Sequence, residues 1–80
     1  KSNIYKEGFQ WLAASDNKEV TSNLVNNFVD AGIKYKQYGV DKISIQVLEQ
    51  VLGIKKESNY SNKAELIKTV QDGLDKLKKG

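Results

Sequence analysis

Lys42-Ile43-Ser44-Ile45-Gln46-Val47-Leu48-Glu49-Gln50-Val51-Leu52 is the stretch on which the fold class turns. Its opening alternates, with Ile43, Ile45 and Val47 at every second position, as in a half-buried strand. The pattern then changes. Leu48, Val51 and Leu52 join Ile45 at helical spacings, which gathers all four on one side of a helix, and the run is longer than a typical strand. Helix accounts for the whole stretch, and the spacing predicts one over 44–52, entered through Asp41 or Ser44 as cap.

Working outward, Gly39 and Gly53 flank this helix, each followed by an apolar residue, Val40 or Ile54. A left-handed glycine with an apolar neighbour is a common helix ending, so both glycines read as stops. Upstream, a second helix starts at Ser15 or Asp16, with Glu19 in the capping-box position after Asp16, and runs to Tyr38. Its stripe is Leu24, Phe28, Ala31, Tyr35 and Tyr38, flanked by Val25 and Val29, and Gly32 weakens it by about 1 kcal/mol relative to Ala. A first helix over 3–14, capped by Ser2, places Tyr5, Phe9 and Leu12 on one face with Ile4 and Trp11 beside it. Downstream, 55–61 has the polar composition of a loop. Ser61 or Asn62 caps a last helix to Lys79 carrying Ile67, Val70, Leu74 and Leu77, with Leu66 on an adjoining face. The expected fold is all-α, a compact three- or four-helix bundle with a helix-turn-helix, in a single helical domain over 1–80. The chain opens on Lys1 and not Met, so this domain is read as compatible with a fragment of a longer chain.

Composition narrows the chemistry. Among 80 residues, 39% hydrophobic and 29% charged, there is no Cys, His, Met or Pro, and all 13 basic residues are lysines. A hydrophobic share of that size predicts a folded chain. Thiolate and imidazole catalysis, disulfides and Cys/His zinc sites lack their residues. Asp72 and Asp75 are the close carboxylate pair on one helical face, but Lys68, Lys76 and Lys79 around them read as a solvated, neutralised surface. No enzyme activity, metal or cofactor is expected. The net charge of +3 is mildly basic. No apolar run is long enough to span a bilayer and no signal-peptide pattern opens the chain, which gives a cytoplasmic expectation.

The segment Lys34-Tyr35-Lys36-Gln37-Tyr38-Gly39-Val40-Asp41-Lys42 interleaves lysine and tyrosine, a pattern able to hold phosphates while aromatic faces meet bases. The competing reading buries Tyr35 and Tyr38 in the helix stripe and leaves Lys34 and Lys36 to the negative end of the helix dipole. Gly39, Val40, Ile45 and Leu48 also stand at the spacings of a turn glycine and its packing residues, so Gly39 through Leu48 resembles the turn and recognition helix of small repressors. The resemblance implies DNA binding, with Lys42, Gln46 and Gln50 toward the groove and Lys34, Lys36, Lys55 and Lys56 on phosphates. Two departures stand out. Tyr35 lies where the motif has a small residue, and the outer face of Lys42, Ile43, Gln46, Val47 and Gln50 carries little positive charge. The Tyr38-Gly39-Val40 turn also resembles three-helix binding modules of bacterial surface proteins, which implies a protein ligand or an oligomerisation module without nucleic acid. Finally, Ile67, Val70, Leu74 and Leu77 occupy alternating a and d positions of two heptads, predicting a homodimer through that seam.

Overall fold

The computed structural model describes residues 2–79, with side chains from Lys6 onward. Among them are four α-helices and no strand: α1 (Ser2–Ala14), α2 (Lys18–Lys34), α3 (Val40–Lys56) and α4 (Lys63–Lys79), with a 3-10 turn at Lys36–Tyr38. The expected all-α bundle is what the chain forms. Ser2 lies inside α1, and the Ile4 and Tyr5 side chains lie outside the described ones.

Each boundary has a local cause. Asn17, and not Ser15 or Asp16, caps α2: its side chain accepts from the Val20 N–H at 3.1 Å, while Glu19 sits in the positive first turn. Gly39 takes the left-handed conformation expected of it, with φ at +78°. However, α2 already ends at Lys34, and the Tyr38 and Gly39 N–H groups donate to Tyr35 and Lys36 carbonyls in the 3-10 turn. Tyr35 and Tyr38 are therefore not the end of a buried stripe. They are 42% and 73% exposed, and the true inward face of α2 is Thr21, Val25, Phe28, Val29 and Gly32.

Gly53 does not stop α3. The helix begins at Val40 and continues through Gly53 to Lys56, because Val51 and Lys55 on either side of it are fully buried and hold the chain in register. A glycine ends a helix only where the backbone takes the left-handed turn, and packing here favours propagation. Ser44 is likewise no cap. It is buried inside α3 and its hydroxyl donates to the Phe28 carbonyl of α2 at 2.8 Å, pinning the two helices together.

The core is one cluster of Leu12, Val25, Phe28, Val29, Leu48, Val51, Val70, Leu74 and Leu77, with α2, α3 and α4 packed mutually and α1 laid against α2 and α3. Cross-contacts set the directions. The Asn62 side chain just before α4 reaches Asp16 just before α2, while a Cβ on Gly32, late in α2, would lie 2.5 Å from Leu77, late in α4. Thus α2 and α4 run parallel and α3 returns between them. Trp11, expected beside the inward face of α1, is 70% exposed.

Within this core the Thr21 hydroxyl is fully buried and has no hydrogen-bond partner among the described residues. An unpaired buried hydroxyl costs about 1–3 kcal/mol, and valine has nearly the same shape without it. Thr21→Val should therefore raise the melting temperature by roughly 4–8 °C, the shift expected for about 1 kcal/mol in a domain of this size. Thermal denaturation followed by circular dichroism checks it, and a lowered melting temperature would mean that the hydroxyl is satisfied in solution.

Candidate functional site

The lysines and glutamines singled out by sequence separate into distinct places. Lys34, Lys36 and Lys42 are exposed around the α2–α3 connection, and Gln46 and Gln50 are exposed on the outer side of α3. Lys56 is exposed too, but fourteen residues of helix separate it from Lys42, about 21 Å at 1.5 Å per residue. It belongs to the opposite end of the bundle.

Lys55 is a correction. It is fully buried, and its ammonium donates to the carbonyls of Ala13, at 3.2 Å, and Ser15, so it is not presented to a phosphate. Beside it, the Tyr60 hydroxyl donates to Ala14 at 3.0 Å and the Asn62 amide to Asp16 at 2.6 Å. Four consecutive carbonyls, 13–16, are thus held by side chains from the end of α3 and the segment leading into α4. Those of Ala13 and Ala14 are groups that the C-terminus of α1 leaves without intrahelical partners, and those of Ser15 and Asp16 belong to the linker that follows. The Tyr60 ring lies 5.3 Å from the same ammonium. Burial lowers the Lys55 pKa from the usual lysine value, and the Asp16 carboxylate offsets this in part. Nothing in the local sequence marks Lys55 as different from Lys56, since the partners lie about forty residues away.

The proposed dimer seam is also used differently. Val70, Leu74 and Leu77 are buried in the chain's own core, Leu66 is fully buried with them, and Ile67 is half-buried. The inward face is centred between the expected seam and Leu66, so the surplus apolar surface that suggested a partner is covered by α2 and α3.

The parallel arrangement of α2 and α4 creates a grouping that the sequence reading missed. Because Gly32 meets Leu77 and also approaches Asp41, the last turn of α4, with Lys76, Lys78 and Lys79, ends beside the last turns of α2 and the first turn of α3, at the end of the bundle that carries Lys34, Lys36 and Lys42. Against these lysines stand Asp30, Asp41 and Asp75 on the same turns, while Glu49 is paired with Lys78 at 3.6 Å. The Lys34 ammonium lies 5.3 Å from the Tyr35 ring centroid, and Ile33 and Ile43 are exposed nearby in sequence. The result is a basic end bearing two accessible phenol rings.

Of the residues that suggested a helix-turn-helix, Leu48 is buried and Ile45 half-buried against the core, as in any packed amphipathic helix. Yet the connection spans Tyr35 to Gly39, and the close approach of α2 to α3 occurs at Gly32 and Ser44, away from the position four before Gly39. Elsewhere, Lys18, Glu65, Lys68, Thr69 and Asp72 line an open hollow of mixed charge between α2 and α4. Among the described residues no group of three or more carboxylates converges on a point able to hold a metal ion, and no helix is long and apolar enough to cross a membrane.

No protein-family model, curated protein or solved structure matches the chain. Its functional reading therefore rests on the geometry of the basic end.

Proposed function

We propose that this chain is a non-enzymatic nucleic-acid-binding domain whose contact surface is the end of the bundle where α2 and α4 finish and α3 begins. The observation that carries the reading is the exposure of Tyr35 and Tyr38 among Lys34, Lys36 and Lys42, with the terminal lysines of α4 at the same end. Lysines supply the sequence-independent attraction to phosphate, and exposed phenol rings add contact area that solvated charge alone does not need. Val70, Leu74 and Leu77, three of the four residues expected to form a dimer seam, lie in the chain's own core, so this reading takes the single chain as the acting unit. Lys42, Gln46 and Gln50 flank this surface along α3; Lys55 and Lys56 have no part in it.

Fluorescence anisotropy with labelled DNA, single-stranded and duplex, tests the proposal. Binding at low salt should weaken steeply as salt is added, because neutralised phosphates release counterions. Replacing Lys34, Lys36 and Lys42 together by Glu should abolish it without unfolding the domain, as all three are exposed. No association with either form of DNA at low salt would overturn the reading.

A second reading, a protein-interaction module, is favoured by exposed Ile33 and Ile43 at the same end and by Trp11 and Ile54 elsewhere. Apolar contacts at such a surface would make binding to a protein partner insensitive to salt, the opposite of the behaviour expected for DNA.

A further inference from the structure

We infer that the ligand of this basic end is single-stranded nucleic acid, held by stacking of a base on Tyr38 with lysines on the flanking phosphates. The inference rests on the reading above and narrows it. Tyr38 closes the 3-10 turn immediately before left-handed Gly39, and at 73% exposure its ring projects from the bundle instead of packing on it. The Tyr35 ring is less exposed and lies beside the Lys34 ammonium, which leaves Tyr38 as the open aromatic face. A single strand offers base faces to such a ring; within a duplex those faces are covered by their neighbours.

The duplex alternative has a weak reader. A helix that enters the major groove leads with residues of its first turns, and α3 offers there Lys42 and Gln46 as exposed polar groups beside the carboxylate of Asp41 and the exposed apolar Ile43. Farther along that outer side Glu49 adds a second carboxylate, and the chain has no arginine to grip guanine bidentately. Lys34 and Lys36 flank Tyr35 in the chain, Lys42 stands four residues after Tyr38, and the lysines that close α4 lie at the same end of the bundle, so a flexible strand can be met by separate lysines.

The test compares a labelled thymidine oligonucleotide of about 15 residues, the uridine oligoribonucleotide of equal length and a duplex of equal length by anisotropy at one salt concentration. Single strands should bind at least about tenfold tighter than the duplex, and Tyr38→Ala should cost roughly tenfold on single strands with little change on the duplex, while Tyr38→Phe retains binding. Binding of either single strand on these terms supports the inference, and the two strands together show whether ribose matters. Equal affinity for single strand and duplex, or an unchanged Tyr38→Ala, overturns it while leaving nucleic-acid binding intact. Failure of every oligonucleotide to bind removes the function and this inference together. Because Tyr38 is largely exposed, circular dichroism of Tyr38→Ala should match the wild type, so lost binding reports the contact and not the fold.

Discussion

Lys55→Met should lower the melting temperature by roughly 10–20 °C, the equivalent of about 2–3 kcal/mol in a domain of this size. Methionine keeps the apolar stem buried but removes the ammonium that donates to the Ala13 and Ser15 carbonyls, leaving them unpaired beneath the α3 terminus. Removing one partner of a buried charged hydrogen bond exposes the full desolvation cost of what remains. Tyr60→Phe deletes only the bond to Ala14 and should cost less, about 0.5–1.5 kcal/mol. A Lys55→Met protein as stable as the wild type would show that these carbonyls find other partners. The pH dependence has a definite sign. Burial lowers the folded-state pKa of Lys55 from 10.5, and the facing groups are the carboxylate of Asp16, the Tyr60 ring and the carbonyls of the α1 terminus. Between the lowered value and 10.5 the unfolded chain binds more protons, so this group's contribution to stability rises with pH through that window and is least below it. The gap in melting temperature between wild type and Lys55→Met should therefore widen from neutral pH toward 10, and a constant or shrinking gap would contradict the assignment.

Alanine at two glycines should give opposite results. Gly73 is buried in α4 where it meets α2: an added Cβ would run into Val25 Cγ1, with Val29 Cγ2 at 3.2 Å and Leu48 Cδ1 at 3.5 Å. Valine is stiff at χ1 in a helix, so relief requires the two helices to separate. Overpacking of this kind costs about 1–3 kcal/mol, and the helix-propensity gain of about 1 kcal/mol does not cancel it in the tightest cases. Gly73→Ala should lower the melting temperature by roughly 8–16 °C, for a net loss of about 2 kcal/mol. At Gly53, also helical, an added Cβ meets nothing within 4 Å. Gly53→Ala should therefore raise it by roughly 4–8 °C through propensity alone. The two variants measured side by side by calorimetry decide the point; destabilisation by Gly53→Ala would mean that α3 breaks there after all.

Much of the fold was legible because the information is local. The spacing of Ile45, Leu48, Val51 and Leu52, the left-handed turn at Gly39, and the amphipathic pattern from Leu66 to Leu77 each depend on residues within a few turns, where local conformational preference acts directly. The misreadings have local signals that a distant contact overrode. Gly53 carries the composition of a stop, yet the burial of Val51 and Lys55 carries the helix past it. Asn62 stands immediately before α4 as expected, and its amide has the further partner Asp16 before α2, which no local pattern announces. Lys55 and Lys56 are adjacent and chemically identical, and only the arrival of the α1 terminus makes one a buried clasp and leaves the other in solvent.

The helical class and the left-handed turn at Gly39 follow from the sequence alone, and the Lys34-to-Lys42 segment stands out there as a candidate contact surface, because periodicity, a glycine able to adopt positive φ and charge interleaving are properties of neighbouring residues. That α2 and α4 run parallel, that Tyr35 and Tyr38 face outward, and that Lys76, Lys78 and Lys79 reach the same end emerge from how the helices pack. The physical reason is that helix direction and rotation are set by which side chains interlock across the bundle. Gly32 against Leu77 and Gly73 against Val25 and Val29 are such contacts, and in each the partners are more than forty residues apart, beyond the reach of any local pattern.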